Sequence, residues 1–180
     1  MRLHAASLLL VCWLLGQGIV LREASGQNTD WPSFRGKQAC GVAEGHATPV
    51  RWNVDTTGGE KAENVLWKRA IPGLGHSSPV IVGDRLFVTT ALSGGGRDEV
   101  RVGLYGSVRS VDDPSPHTWK VICLDKSTGK VLWERNAVKG VPKVKRHPKA
   151  SHASCTMAVD AGHAVAFFGS EGLFCYSLDG

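Results

Sequence analysis

Eleven residues from Cys123 to Trp133 hold two strand ends, a defined turn and a large aromatic ring, and they restrict the fold more than any other part of the chain. Val121 to Leu124 reads as the end of one apolar strand, and Val131 to Trp133 as the start of the next. Between them Asp125 can accept hydrogen bonds from turn amides, Thr128 can cap the turn, and Gly129 supplies a positive φ at no steric cost. The segment is predicted to be a β-hairpin. Trp133, four residues past the glycine, leaves the turn where a flat ring can lie on a neighbouring sheet and bury a large apolar area.

The pattern recurs, which makes it a repeat rather than a single hairpin. Asn64-Val65-Leu66-Trp67-Lys68 mirrors Lys130-Val131-Leu132-Trp133-Glu134, and His76-Ser77-Ser78-Pro79-Val80 is echoed by His152-Ala153-Ser154-Cys155-Thr156. A third copy opens at Gly172-Leu173-Phe174-Cys175-Tyr176-Ser177-Leu178-Asp179-Gly180, and Cys175 lies 52 residues beyond Cys123. Leu86 to Thr90 and Ala164 to Phe168 carry the aromatic and β-branched content that strands favour. No helical period competes after the first 25 residues, so the expected class is all-β.

Cys123, Asp125, Thr128, Gly129 and Trp133, with Trp67 as the matching ring of the preceding copy, resemble the tryptophan-docking motif of the pyrroloquinoline-quinone (PQQ) repeat family, the quinoprotein-like β-propellers. Cys123 stands where that motif has alanine, a mild change because a free thiol behaves as a small hydrophobe. The opening Asp30-Trp31-Pro32-Ser33-Phe34-Arg35-Gly36 is similar to the start of bacterial exported proteins of this kind, with Trp31 and Phe34 expected to pack across a blade edge. The resemblance implies a β-propeller of four-stranded antiparallel blades. Such rings close with four to eight blades of about 40–45 residues each. Residues 27–180 supply two to three, so an incomplete N-terminal fragment is expected, with an arm and first strands over 27–64 and repeats over 65–180.

Residues 1–26 read as a secretory signal peptide: Arg2 and His4 give a cationic start, Ala5 to Leu15 is apolar, and Ala24-Ser25-Gly26 offers small residues for cleavage. The expected location is periplasmic or secreted, with no transmembrane segment once the signal is removed. Four cysteines then remain, Cys40, Cys123, Cys155 and Cys175, and their pairing is open. Cys123, Cys155 and Cys175 sit in apolar strand-like segments where buried thiols are ordinary, whereas Cys40 in a glycine-rich loop looks accessible. No cysteine and histidine spacing marks a zinc site.

The formal net charge of +5 is local, because Arg135, Lys139, Lys143, Lys145, Arg146 and Lys149 put six cations and no acid into residues 135–149. Subtracting them leaves −1 for the rest of the chain. With Pro142 and Pro148 inside the run and no interleaved aromatic ring, a solvated loop is favoured over a nucleic-acid site. Ser93 to His117 forms a second long spacer, rich in glycine and proline, where ligand or protein contacts are commonly carried.

Candidate chemistry is sparse. A His76/Ser78 nucleophile pair is outweighed by the apparent equivalence of His76 and His152, since structural residues recur with a repeat and catalytic ones do not. His147, His152 and His163 lack the spacing of a metal site, and Asp112-Asp113 is a paired carboxylate in a loop. No catalytic, cofactor or metal residue is assigned. The resemblance favours a non-catalytic exported scaffold that binds a protein or small ligand through its loops, similar to the propeller of the outer-membrane protein assembly machinery. The alternative is part of a PQQ-dependent alcohol or sugar dehydrogenase, with PQQ and calcium as its cofactors.

Overall fold

The computed structural model describes residues 30–45, 47–59, 61–96, 100 and 109–180. The signal-peptide assignment for residues 1–26 lies outside them. Seven strands account for the regular structure: β1 (Val80–Val82), β2 (Arg85–Ser93), β3 (His117–Asp125), β4 (Val131–Gly140), β5 (Ala158–Val159), β6 (His163–Phe167) and β7 (Leu173–Ser177). The chain is mostly β, with no α-helix among the described residues and short 3-10 turns at Lys37–Ala39, Thr57–Gly59 and Gly169–Glu171. No described helix is long and apolar enough to cross a membrane.

Two antiparallel sheets result, one ordered β1-β2-β3-β4 and the other β5-β6-β7. The hairpin expected around Gly129 joins β3 to β4. The Asp125 carboxylate accepts from the Thr128 amide at 2.7 Å, the Thr128 hydroxyl at 2.7 Å and the Ser127 amide at 3.1 Å, and Gly129 has φ 68°. Strand register makes the two sheets comparable position by position. Val80 faces Phe87 and Phe87 faces Cys123 in the first; Ala158 faces Val165 and Val165 faces Cys175 in the second. Cys123 therefore corresponds to Cys175.

The core lies between the sheets. Val80, Phe87, Cys123, Trp119 and Trp133 from the first form one cluster with Val159, Ala164 and Ala166, packed by Phe174 and Tyr176, from the second. Large rings meet small residues. Phe87 stands edge-on to Trp133 at 5.9 Å, and Trp133 tilts over Tyr176 at 5.9 Å, an arrangement that suits the ring quadrupoles.

Each tryptophan of the sequence pattern lies on a turn ahead of it. The Trp67 ring covers Gly129, where a Cβ would come within 2.5 Å of the indole, and its Nε1 donates to the Lys126 carbonyl at 2.8 Å. Trp133 repeats the contact on Gly180, with Nε1 donating to the Leu178 carbonyl at 2.8 Å. An arginine two positions on completes both: Arg69 donates to Gly129 O at 3.2 Å and Arg135 to Gly180 O at 2.9 Å.

Several expectations need correction. The described residues of 27–64 carry isolated bridges, Trp31↔Ile81 and Asn53↔Glu63, instead of first strands. Positive φ at Arg35, Gln38, Ala39 and Asn64 keeps that backbone out of a ladder. Val65 to Lys68 likewise falls outside the named strands: Trp67 is docked while Leu66 is 81% exposed. Phe34 does not pack on an edge and is exposed.

The cysteines also differ from expectation. All four are free, and only Cys123 is buried, its thiol pushed up to about 11 mainly by burial. Cys155 is exposed because it lies in a bend before β5, and Cys175 because its position on β7 faces away from the core.

Removing the buried Trp133 ring by Trp133→Ala deletes both the sheet contact and the bond to Leu178. A loss of about 3–5 kcal/mol in unfolding free energy follows, the usual cost for a large buried aromatic. Chemical denaturation measures it, and a midpoint equal to that of the parent would show the ring to be dispensable.

Candidate functional site

The β1–β2 and β3–β4 turns share one end of the first sheet, so the long connections leaving Ser93 and Gly140 emerge together at the other. There Ser93 pairs with His117, and His117 with Gly140. A buried polar cluster forms at that rim. The Asp113 carboxylate accepts from Ser93 Oγ at 2.6 Å and from the Ser115 amide at 3.0 Å, and lies 3.8 Å from His117 Nε2. The other His117 nitrogen, Nδ1, sits 2.8 Å from the Ser115 carbonyl, so it carries the proton and donates. Both side chains are 4% exposed.

His152 joins the cluster from the segment between β4 and β5. Its ring stands edge-on to His117 at 5.0 Å and to Trp119 at 5.9 Å, and its carbonyl accepts from Trp119 Nε1 at 3.1 Å. The Ser93 hydroxyl is the chief reason that Asp113 is held down to about 2, assisted by Ser115 and by the neighbouring His117 and opposed by burial. Burial is the main cause that lowers His152, with His117 and Arg146 adding positive potential.

The basic run folds onto this rim instead of standing free as a cationic patch. Val111 and Arg146 form a bridge, Lys145 pairs with Asp112 at 2.8 Å, and the Lys143 ammonium donates to Ser170 O at 3.0 Å. Arg146 is buried and donates to Ala150 O at 3.0 Å, and Arg135 is spent on the docking contact. The run thus ties the β2–β3 connection to the segment before β7.

The expected candidates separate. Asp112 and Asp113 diverge, one on Lys145 and the other buried on Ser93, so the pair does not present a joint oxygen site to a cation. Among the described residues no group of three or more potential ligands gathers for a metal. His76 is exposed and its amide donates to Ala153 O at 3.0 Å, while the Ser78 amide donates to Thr156 Oγ1 at 3.0 Å. His76 and His152 are not equivalent, because Val80 corresponds to Ala158 and His76 therefore to Ser154. His163 sits beside Asp160 at the β5–β6 turn, far along the chain from the rim cluster, and His147 accepts from the Lys149 amide.

Two groups escaped the sequence reading. Arg69 and Arg135 were legible as a tryptophan-x-arginine spacing present in both copies, but Arg135 was absorbed into the basic run. Ser93, Asp113, His117 and His152 had no sequence signal, since 20 residues separate Ser93 from Asp113 and 33 separate Trp119 from His152.

Compared with known proteins, the chain matches no family model, no curated protein and no solved structure.

Acid should weaken the fold in two steps. His152 is harder to protonate folded than unfolded, so stability falls as pH drops below its ordinary value of 6.5. Asp113 is easier to ionise folded, so its contribution, complete above 3.8, is lost as pH falls toward about 2. Denaturation midpoints measured across that range should show the upper step gone in His152→Gln and the lower gone in Asp113→Asn.

Proposed function

We propose that the chain belongs to an exported, PQQ-repeat-like β-propeller that acts as a non-catalytic scaffold, binding a protein partner or small ligand through its rim connections, with outer-membrane protein assembly as the setting the resemblance implies. One observation carries this reading: the tryptophan, arginine and glycine contact is made twice with the same chemistry, Trp67 and Arg69 on the Lys126–Gly129 turn and Trp133 and Arg135 on the Leu178–Gly180 turn. A contact that recurs at repeat spacing joins units; it does not turn over a substrate. Sheets stacked face to face through that contact are the blades of the proposed propeller, and the connections at their ends are the surface left for recognition.

The dehydrogenase alternative needs a quinone site, a hard-cation site and an acidic base. Support for the scaffold over it comes from how the acids here are used: Asp113 is buried and accepts from Ser93 and Ser115, and Asp112 is paired with Lys145. Titration with PQQ in calcium buffer should leave tryptophan fluorescence without a saturable quench. Micromolar, chelator-sensitive quenching would replace the scaffold by the dehydrogenase.

Export is tested separately. Residues 1–30 fused to alkaline phosphatase lacking its own signal should give activity outside the cytoplasm of a bacterial host. An inactive, cytoplasmic fusion would remove the exported location.

A further inference from the structure

Three donors from two distant stretches of chain end on the backbone of His152 and Ala153. The Trp119 indole donates to His152 O at 3.1 Å, and the amides of His76 and Ser77 donate to Ala153 O at 3.0 and 3.2 Å. The 150–153 segment thus ties the lead into β1 to the start of β3. Its own fastenings are short-range: Ser151 Oγ accepts from the Ala153 amide at 3.2 Å, and Ala150 O accepts from Arg146 at 3.0 Å.

The ring carried by that segment has no acceptor for a second proton. It stands edge-on to His117 at 5.0 Å and to Trp119 at 5.9 Å, and among the described residues no carbonyl or carboxylate accepts from its nitrogens. Four charged or titratable groups face it: His117 at the start of β3, Arg146 from the connection after β4, Glu171 from the 3-10 turn before β7 and Asp113 from the β2–β3 connection. Both carboxylates are engaged elsewhere. Asp113 accepts from Ser93 and Ser115 and lies 3.8 Å from His117 Nε2; Glu171 accepts from the Lys143 amide at 2.9 Å and Ser170 Oγ at 3.0 Å.

We propose that His152 is an acid-released latch on the rim: the neutral ring keeps the 150–153 segment on the Trp119 indole and the His76 and Ser77 amides, and the protonated ring turns to water and takes the segment with it, while the two sheets stay packed. The ring is half-buried, so a proton reaches it from solvent. Trp119 is fully buried, and the His152 ring lies against it. Withdrawing that ring opens the indole to water on the side where its N–H is held, so ring and carbonyl of the same residue let go together. The direction in pH follows from linkage. Closed, the ring resists the proton, first through burial and then through His117 and Arg146, with Glu171 and Asp113 opposing; released, it has its ordinary value of 6.5. Opening is therefore insensitive to pH above 6.5 and grows by up to about tenfold for each unit below it, until the closed ring is protonated too.

Hydrogen exchange of the full chain, corrected for its intrinsic pH dependence, reads the latch. From about pH 7.5 to about pH 5, protection of the Trp119 indole N–H and the Ser77 amide should fall at least about fivefold, and at the lower pH it should be indifferent to urea below the unfolding transition, the mark of a local opening. Exchange at Val121, in the centre of β3, should instead rise with urea as global unfolding does. His152→Gln, which cannot take the proton, should abolish the acid-dependent fall at Trp119 and Ser77. In the parent chain, the Trp119 indole signal should shift with the same pH midpoint as the His152 ring when both are followed by NMR, a reading that needs no variant. Protection that does not change with pH would overturn the latch, because the ring would then turn out alone and leave the segment in place. So would urea dependence at Trp119 and Ser77 as steep as at Val121, an acid-dependent fall that persists in His152→Gln, or an indole that follows a different midpoint. None of these outcomes depends on PQQ binding or on export, so they stand apart from the tests of the proposed function.

Discussion

A tryptophan laid on a glycine is the contact on which the arrangement of the two sheets depends. The glycine is needed twice over at residue 129, where φ is 68° and any side chain would collide with the Trp67 indole. The indole N–H then finds a turn carbonyl, so that a large apolar ring is buried without stranding its one donor. The same pair at Trp133 and Gly180 fixes the second sheet, and with it the packing of Phe87 and Trp133 against Ala164, Ala166 and Tyr176. Small residues on one sheet accept large ones from the other, which sets the sheets close and leaves β3 buried along its length.

The β class, the hairpin at Asp125–Gly129 and the docking role of Trp67 and Trp133 were legible because each is written within a dozen residues: turn chemistry, period and ring spacing are local. The cysteines were not. Apolar neighbours in sequence say that a residue lies in a strand, yet which face it takes depends on register, and Cys123 and Cys175 occupy corresponding positions with opposite burial. In the first sheet that face is covered by the second sheet; in the second sheet the described residues place no sheet upon it. Burial of a repeat position is thus a property of its neighbour, which a single copy cannot report. His76 and His152 misled for a related reason. The letters match at a shift of 76, while the strands match at 78.

The basic run shows how charge averaged over sequence misstates a surface. Six cations in fifteen residues read as a solvated loop, but Arg135, Lys143 and Lys145 each meet an acceptor from a remote part of the chain, and Arg146 donates to Ala150 O nearby. The sequence places those acceptors at Gly180, Ser170, Asp112 and Ala150, three of them remote, so no local pattern could have announced this tethering, which leaves all of the cations but Arg146 exposed. Its consequence is mechanical. Cations tied to carbonyls and carboxylates of neighbouring connections pin the rim.

The titratable groups of the rim are part of the same fastening. Asp113 is held ionised chiefly by the Ser93 hydroxyl, with Ser115 and His117 assisting, and His117 spends its proton on a backbone carbonyl. His152 is lowered chiefly by its burial, with His117 and Arg146 acting in the same direction. The bonds from Ser93 and Ser115 to Asp113 and from His117 to Ser115 tie together the connections that carry them. Val141 and Val144, in the connection that follows β4, remain exposed. Buried polar groups fix the loops, and the docked tryptophans fix the sheets that hold the loops.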